Sequence, residues 1–200
     1  MRDYQLGEWD LSELSSNPKS PKFQKQVQEL EKQTKQFEKI RRDLDSQISA
    51  TKFKNILHEI EGISEKMSKI GGYASLSYSA DTQSDEATSL MTKISKLGSE
   101  VSNKILFFDL WWKTQVDDKN AKRLMKNTGD LEEYLAHKRL VAKYSLSEPE
   151  ERIINTLDVT GISALVKLYD KITNAYEYKM KIKNKIKVLT REELTNYVRS

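Results

Sequence analysis

Apolar residues recur along the first two-thirds of the chain at helical spacing, three and four positions apart. Phe23, Val27, Leu30, Thr34, Phe37, Arg41, Leu44 and Ile48 alternate in this way. That stripe predicts one helix from Ser20-Pro21 to about Ser49, with proline at the first helical position and one face forming a bundle or coiled-coil seam. Phe53, Ile56, Leu57, Ile60, Ile63, Met67 and Ile70 predict a second helix over about 52–76, which Gly71-Gly72 can end, kink or open to a close neighbour. Asp81 or Thr82 is placed to cap a third, carrying Leu90, Ile94, Leu97, Val101 and Ile105 to about Val116. No proline interrupts residues 22–148, so helices of this length are permitted. Short connections between long amphipathic helices predict an elongated antiparallel bundle.

Shorter helices are expected over about 119–128, 130–144, 148–158 and 161–176. Ser147 and Glu150 form a capping box around Pro149, which predicts a start at Glu148. Thr190 and Glu193 repeat the device, with Leu189 and Leu194 placed as a hydrophobic staple, and Thr160-Gly161 opens the helix between. Helical periodicity breaks at Tyr178, Met180 and Ile182, which alternate with Lys179, Lys181 and Lys183, and again where Ile186 and Val188 alternate with Lys185 and Lys187. A hairpin over about 177–189, turning near Lys183-Asn184, accounts for this, with one face apolar and the other a lysine ladder. The fold class is therefore mainly α: a long antiparallel helical bundle, then short helices and one small β-hairpin. The division is an N-terminal arm over 1–19, with Trp9, Leu11 and Leu14 as anchors and Asn17-Pro18 as a turn, a long-helix bundle over 20–128, and a smaller part over 129–200.

Composition narrows the function classes. Of 200 residues, 37% are hydrophobic and 32% charged, as in a folded, highly soluble chain rather than a disordered one. The absence of cysteine excludes disulfides and thiolate metal sites and suits a cytoplasmic location. No stretch approaches a membrane span, and the start lacks the apolar core of a signal peptide. A net charge of +4 arises from 34 basic residues interleaved with 30 acidic ones, a pattern of solvated helix faces that argues against nucleic-acid and membrane partners.

No catalytic or metal-binding residue is nominated, and substrate-binding residues are left unassigned. His58-Glu59-Ile60-Glu61-Gly62 approaches H-E-x-x-H, but that motif needs histidines four apart on one helical face, and Gly62 stands where the second belongs. His137 has no partner at metal-binding spacing. Phe107, Phe108, Trp111 and Trp112 are read as filling the junction between bundle and short helices rather than as a ligand platform. The lysines over 179–187 are read as edge protection, against an anionic-lipid or phosphate role.

Several ordered pieces nevertheless resemble one family. They are Trp9-Asp10-Leu11-Ser12-Glu13-Leu14; Tyr73-Ala74 through Ser79-Ala80-Asp81-Thr82; Tyr144-Ser145-Leu146-Ser147-Glu148; Thr160-Gly161 followed by Leu168-Tyr169; and Leu189-Thr190 with Glu193-Leu194. Together they are similar to the N-terminal region of the oligoendopeptidase F family of zinc metallopeptidases. The resemblance implies a longer enzyme that hydrolyses short peptides, with zinc held in a later catalytic domain by H-E-x-x-H and a downstream glutamate. It also implies that the helices here form the wall of the substrate groove, with the catalytic domain and oligopeptides as partners. The alternative is a free-standing helical module for interaction or self-association, which the seam over Phe23 to Ile48 supports.

Overall fold

The computed structural model describes residues 10–15, 17–126 and 128–198. It is mainly α with one antiparallel hairpin. In chain order the elements are α1 (Pro21–Phe37), α2 (Ala50–Ala80), α3 (Asp85–Leu110), α4 (Asp118–Met125), α5 (Leu131–Leu140), α6 (Glu148–Thr160), α7 (Ile162–Asn174), β1 (Tyr178–Ile182), β2 (Lys185–Leu189) and α8 (Arg191–Val198). Trp9, one of the expected anchors of the arm, lies outside the described residues.

Three helices make the core. Ring contacts fix their directions: Phe23 near the start of α1 meets Tyr73 near the end of α2, while Phe37 at the end of α1 meets Phe107 at the end of α3. Phe53 at the start of α2 stacks near Phe108 at the end of α3. So α2 runs antiparallel to both others. The sequence stripes supply the buried faces, with Phe23, Leu30, Thr34 and Phe37 from α1, Phe53, Ile56, Ile63 and Ile70 from α2, and Ile94, Leu97 and Val101 from α3. Thr34 is accommodated inside because its hydroxyl donates to the Leu30 carbonyl at 2.8 Å.

The first helix is shorter than its periodicity predicts. After Phe37 the chain tightens into a 3-10 turn over Glu38–Asp43, and residues 44–49 make the reversal into α2. Asp45 accepts the Gln47 amide at 3.0 Å and the Ser49 hydroxyl caps α2 by accepting from Lys52, so local side-chain bonds replace the helical ladder. Ile48 is still buried and Leu44 half-buried. Apolar spacing thus reports the buried side of the segment after its helix has ended. Gly71-Gly72, by contrast, sit inside one uninterrupted helix of 31 residues, about 45 Å long. An added Cβ at either would meet only ordinary contacts, 3.6 Å to Met67 and 3.7 Å to Leu14.

Ser84, not Asp81 or Thr82, caps α3, accepting from the Ala87 amide at 3.2 Å; Asp81 instead braces the preceding turn through the Gln83 and Ser84 amides. At its far end α3 widens into a π turn over Trp111–Gln115, where the Val116 amide reaches the Trp111 carbonyl. The Ser147–Glu150 box forms as expected and starts α6 at Glu148, with the Glu150 carboxylate accepting from the Ser147 amide at 2.9 Å. Thr190 and Glu193 close the second box before α8.

One expectation about the hairpin fails. Lys183 and Asn184 both lie in the left-handed region, with φ of 44° and 66°, which makes a two-residue turn. Ile182 then pairs with Lys185, Met180 with Lys187 and Lys181 with Ile186. Directly paired residues share a face, so Tyr178, Met180 and Ile182 lie with Lys185 and Lys187, while Lys179 and Lys181 lie with Val188 and Ile186. An apolar face opposite a lysine ladder needs a loop of three residues, because a slip of one position exchanges the faces.

Between α6 and α7, Gly161 has no room for a side chain, since an added Cβ would stand 2.8 Å from the Leu157 carbonyl oxygen. Gly161→Ala is expected to lower stability by roughly 1–3 kcal/mol, as strain forced on a tight connection does, and urea unfolding measures it. The second prediction concerns pH. Hydrogen bonds from the Ser147 hydroxyl and amide hold the Glu150 carboxyl below its usual range. A depressed carboxyl stabilises the fold above its unfolded pKa and loses that contribution as pH falls through the folded value. The stability difference between the unaltered chain and Glu150→Gln should therefore be present at neutral pH and disappear in acid, as followed by unfolding across a pH series.

Candidate functional site: an outward apolar face on the C-terminal helices

The helices α6 and α7 pack on the bundle through their polar sides. From α6, the Arg152 guanidinium donates to the Asn103 carbonyl at 3.1 Å, the Asn155 amide donates to Asn103 Oδ1 at 3.0 Å, and the Asn155 carbonyl accepts from Ser99 at 2.8 Å. From α7, the Lys167 ammonium donates to Ser95 at 3.2 Å, and its carbonyl accepts from the Tyr78 hydroxyl at 2.9 Å. Burial lowers the Lys167 pKa, and burial with the nearby Asp170 carboxylate raises that of Tyr78. The Lys171 carbonyl accepts from Gln83 at 3.0 Å, and Asn174 donates to the Thr82 hydroxyl at 3.3 Å.

The apolar residues of the same two helices face solvent. Ile162 is 72% exposed, Leu165 66%, and Leu157 60%; Ile153, Ile154, Val166, Leu168, Tyr169 and Ile172 are exposed as well. No residue of α6 or α7 is fully buried. Leu140, Tyr144 and Leu146, in the segment entering α6, add to the exposed apolar surface. Single exposed apolar residues are ordinary in proteins, but a large continuous set along two adjacent helices marks a surface meant to be covered.

The entry to α6 is pinned at Glu148, whose carboxylate pairs with Arg41 and with Arg152. Arg41 also lies over the Phe107 ring, 5.2 Å from its centre, so a position expected on the α1 seam serves as a brace between the 3-10 turn, α3 and α6. The aromatic cluster is internal, as expected for a junction. Phe107, Phe108, Trp111 and Trp112 are buried, and Trp112 donates its indole N–H to the Leu135 carbonyl at 2.9 Å. Arg139 donates to the Trp112 and Val116 carbonyls at 2.8 and 2.7 Å, taking up acceptors that the π turn frees.

His58 is exposed on α2 and bonded to Glu61 at 2.8 Å, and His137 is exposed on α5. Among the described residues no group of three or more histidine, aspartate or glutamate side chains is placed to hold a metal ion. These residues do not fit the zinc site that the family resemblance implies for a whole enzyme. No helix of the described residues is long and apolar enough to cross a membrane.

Residues 114–178 match the family model for the N-terminal domain of oligopeptidase F. The match covers 65 of the 200 residues, and in that stretch the chain is similar to oligopeptidase F. No curated protein and no solved structure matches the chain. The matched residues run from the π turn to the first residue of β1, and so contain α4 to α7 and the outward apolar face. Tyr144 to Glu148, Thr160-Gly161 and Leu168-Tyr169 fall inside the oligopeptidase F match. The Tyr73 to Thr82 piece falls outside it in sequence but touches it in space, through Tyr78 on Lys167 and Thr82 with Asn174.

The outward orientation was not read from the sequence, because a helical stripe does not say which side meets the neighbour. A signal existed in α3. Its buried stripe of Leu90, Ile94, Leu97 and Val101 leaves Ser95, Ser99 and Asn103 on another side, and a helix packing there must bring polar groups. If the apolar face is uncovered in the isolated chain, Leu165→Asn should change stability by no more than about 0.5 kcal/mol, the usual range for surface positions. Leu135→Ala, at a fully buried site, should cost about 2–5 kcal/mol. Denaturant unfolding of both variants makes the comparison.

Proposed function

We propose that this chain is the N-terminal helical part of an oligoendopeptidase F-like zinc metalloendopeptidase that hydrolyses short peptides in the cytoplasm. The reading is carried by one observation: the family-matched segment contains two helices with polar sides on the bundle and apolar sides turned outward. That face is the docking surface for the enzyme's own catalytic domain. Burying it there removes from water the side chains that the bundle leaves exposed, which is the usual driving force for permanent domain association. The long helices behind it stand as a wall of the substrate groove, admitting extended oligopeptides and excluding folded proteins. Zinc and the residues that activate water belong to the catalytic domain; this part contributes positioning and exclusion, not chemistry.

The test mixes the purified chain with an oligopeptidase F-type polypeptide that carries H-E-x-x-H but lacks its own helical N-terminal region. A one-to-one complex is expected, together with chelator-sensitive cleavage of a short internally quenched peptide that neither component achieves alone. Ile162→Asp with Tyr169→Asp should abolish both while leaving the helical content of the chain unchanged. Chelator-sensitive cleavage by the chain alone would overturn the reading. So would a stable, concentration-independent homo-oligomer that covers Ile162 and Tyr169 and ignores the catalytic partner, which would identify a self-association module.

A further inference from the structure

A cavity of about 300 Å³ opens between α2, α3 and α5, with Asn155 of α6 also lining it. Its floor is apolar, formed by Leu57 and Ile60 of α2, Ile105 and Phe108 of α3, and the Trp112 ring of the π turn. Small-ligand sites have this character, a hydrocarbon floor with a few placed polar groups, and this volume is at the lower end of their range.

The polar lining of the cavity is Ser64, Ser102, Asp109, Tyr134, Lys138 and Asn155, of which Asp109 and Lys138 are charged. Asp109 receives two ammonium groups, Lys138 at 2.9 Å on one oxygen and Lys113 on the other, so the three-charge group carries one net positive charge, with Asp109 and Lys138 lining the cavity and Lys113 behind Asp109. Lys138 and Asp109 both line the cavity, and the Lys138 ammonium also lies 5.3 Å from the centre of the Tyr134 ring. Burial works against the charged form of Lys138, but the hydrogen bond and charge of Asp109, with Tyr134, outweigh it and raise its pKa above the ordinary lysine value. The group is therefore a firm cation at neutral pH. An ammonium has three donors, and Asp109 lies within hydrogen-bonding distance of it, so donor capacity remains for a ligand carboxylate.

We propose that this cavity binds a small apolar carboxylate, its hydrocarbon or aromatic part on the Phe108–Trp112 floor and its carboxylate on Lys138. A ring placed there finds aromatic edges and faces, and its anion meets the Lys138 ammonium of a group whose net charge is positive, so both halves of such a ligand are recognised. The same chemistry is offered by a free apolar acid and by the carboxyl end of a peptide whose last residue is aromatic or aliphatic. The proposal stands on the cavity alone and does not depend on the peptidase reading.

Calorimetric titration of the full chain with 3-phenylpropionate, with glycyl-glycyl-phenylalanine and with the amide of that tripeptide tests it. Saturable binding of at least one acid is expected. Tighter binding of the tripeptide identifies a peptide-end site, and tighter binding of phenylpropionate a free-acid site. The tripeptide amide should bind at least tenfold more weakly than the tripeptide, or not at all where the site is one for free acids. Lys138→Met keeps the aliphatic stem and removes the charge, so it should reduce acid binding at least tenfold. Ile105→Trp, which fills the floor, should abolish binding of every probe. No saturable binding of either acid at millimolar concentration would overturn the proposal. Saturable binding of the tripeptide and its amide with equal affinity would also overturn it, and that comparison needs no variant to fold.

Discussion

The helix α3 can give its apolar side to only one set of neighbours, and most of the architecture follows from that. Leu90, Ile94, Leu97 and Val101 are committed to α1 and α2, where their burial supplies the hydrophobic driving force for the bundle. The remaining side offers Ser95, Ser99 and Asn103, and whatever packs there must satisfy hydroxyl and amide groups. Helices α6 and α7 meet that demand with Lys167, Asn155 and Arg152. Having turned their polar residues inward, they have no choice about where their isoleucines, leucines and tyrosines point.

The aromatic knot below this seam does a different job. Phe37, Phe53, Phe108, Trp111 and Trp112 form a chain of ring contacts with centres 5.0–6.4 Å apart, joining the ends of all three long helices. Consecutive aromatics on a regular helix diverge around it, and the π turn at Trp111 adds a residue to that turn, which helps both indoles remain in the core. Arg139 then covers the exposed carbonyls and lies 5.5 Å from the Trp112 ring centre. Through this knot α5 is tied to the bundle by buried contacts, with Leu135 fully enclosed, while α6 and α7 are tied by half-buried hydrogen bonds.

Much of this was legible in the residues, and each miss has its own physical cause. Caps depend on neighbours within four positions, so Ser20, Ser147 with Glu150, and Thr190 with Glu193 could be placed from sequence. Burial stripes were legible too, although the stripe from Phe23 to Ile48 outlasts its helix because an extended or 3-10 segment can also keep one side inward. The hairpin faces were misassigned because they turn on a single residue of loop length, which alternation within each strand does not encode. The cavity beside Lys138 was out of reach for another reason: its walls come from residues about 80 positions apart, and no local pattern brings Leu57 to Lys138.

A polar seam has a consequence for how α6 and α7 are held. Hydrogen bonds such as Tyr78 to Lys167 and Asn155 to Asn103 replace bonds to water, so each contributes only a modest net stabilisation, whereas an unmade bond at a buried site is costly. Such a seam specifies orientation more strongly than it supplies affinity. Its geometry matters because donors and acceptors must align, and a shift along α3 would break several of these bonds together. Orientation is what the proposed docking surface requires: its two apolar stripes would have to meet the catalytic domain at a fixed angle, and Gly161 sets the connection between them where no side chain fits. On the proposed reading the outward turn of the apolar residues of α6 and α7 is not a defect of packing. The bundle aligns the helices by polar contacts, and on the proposed reading the larger share of their apolar burial is left to the catalytic domain.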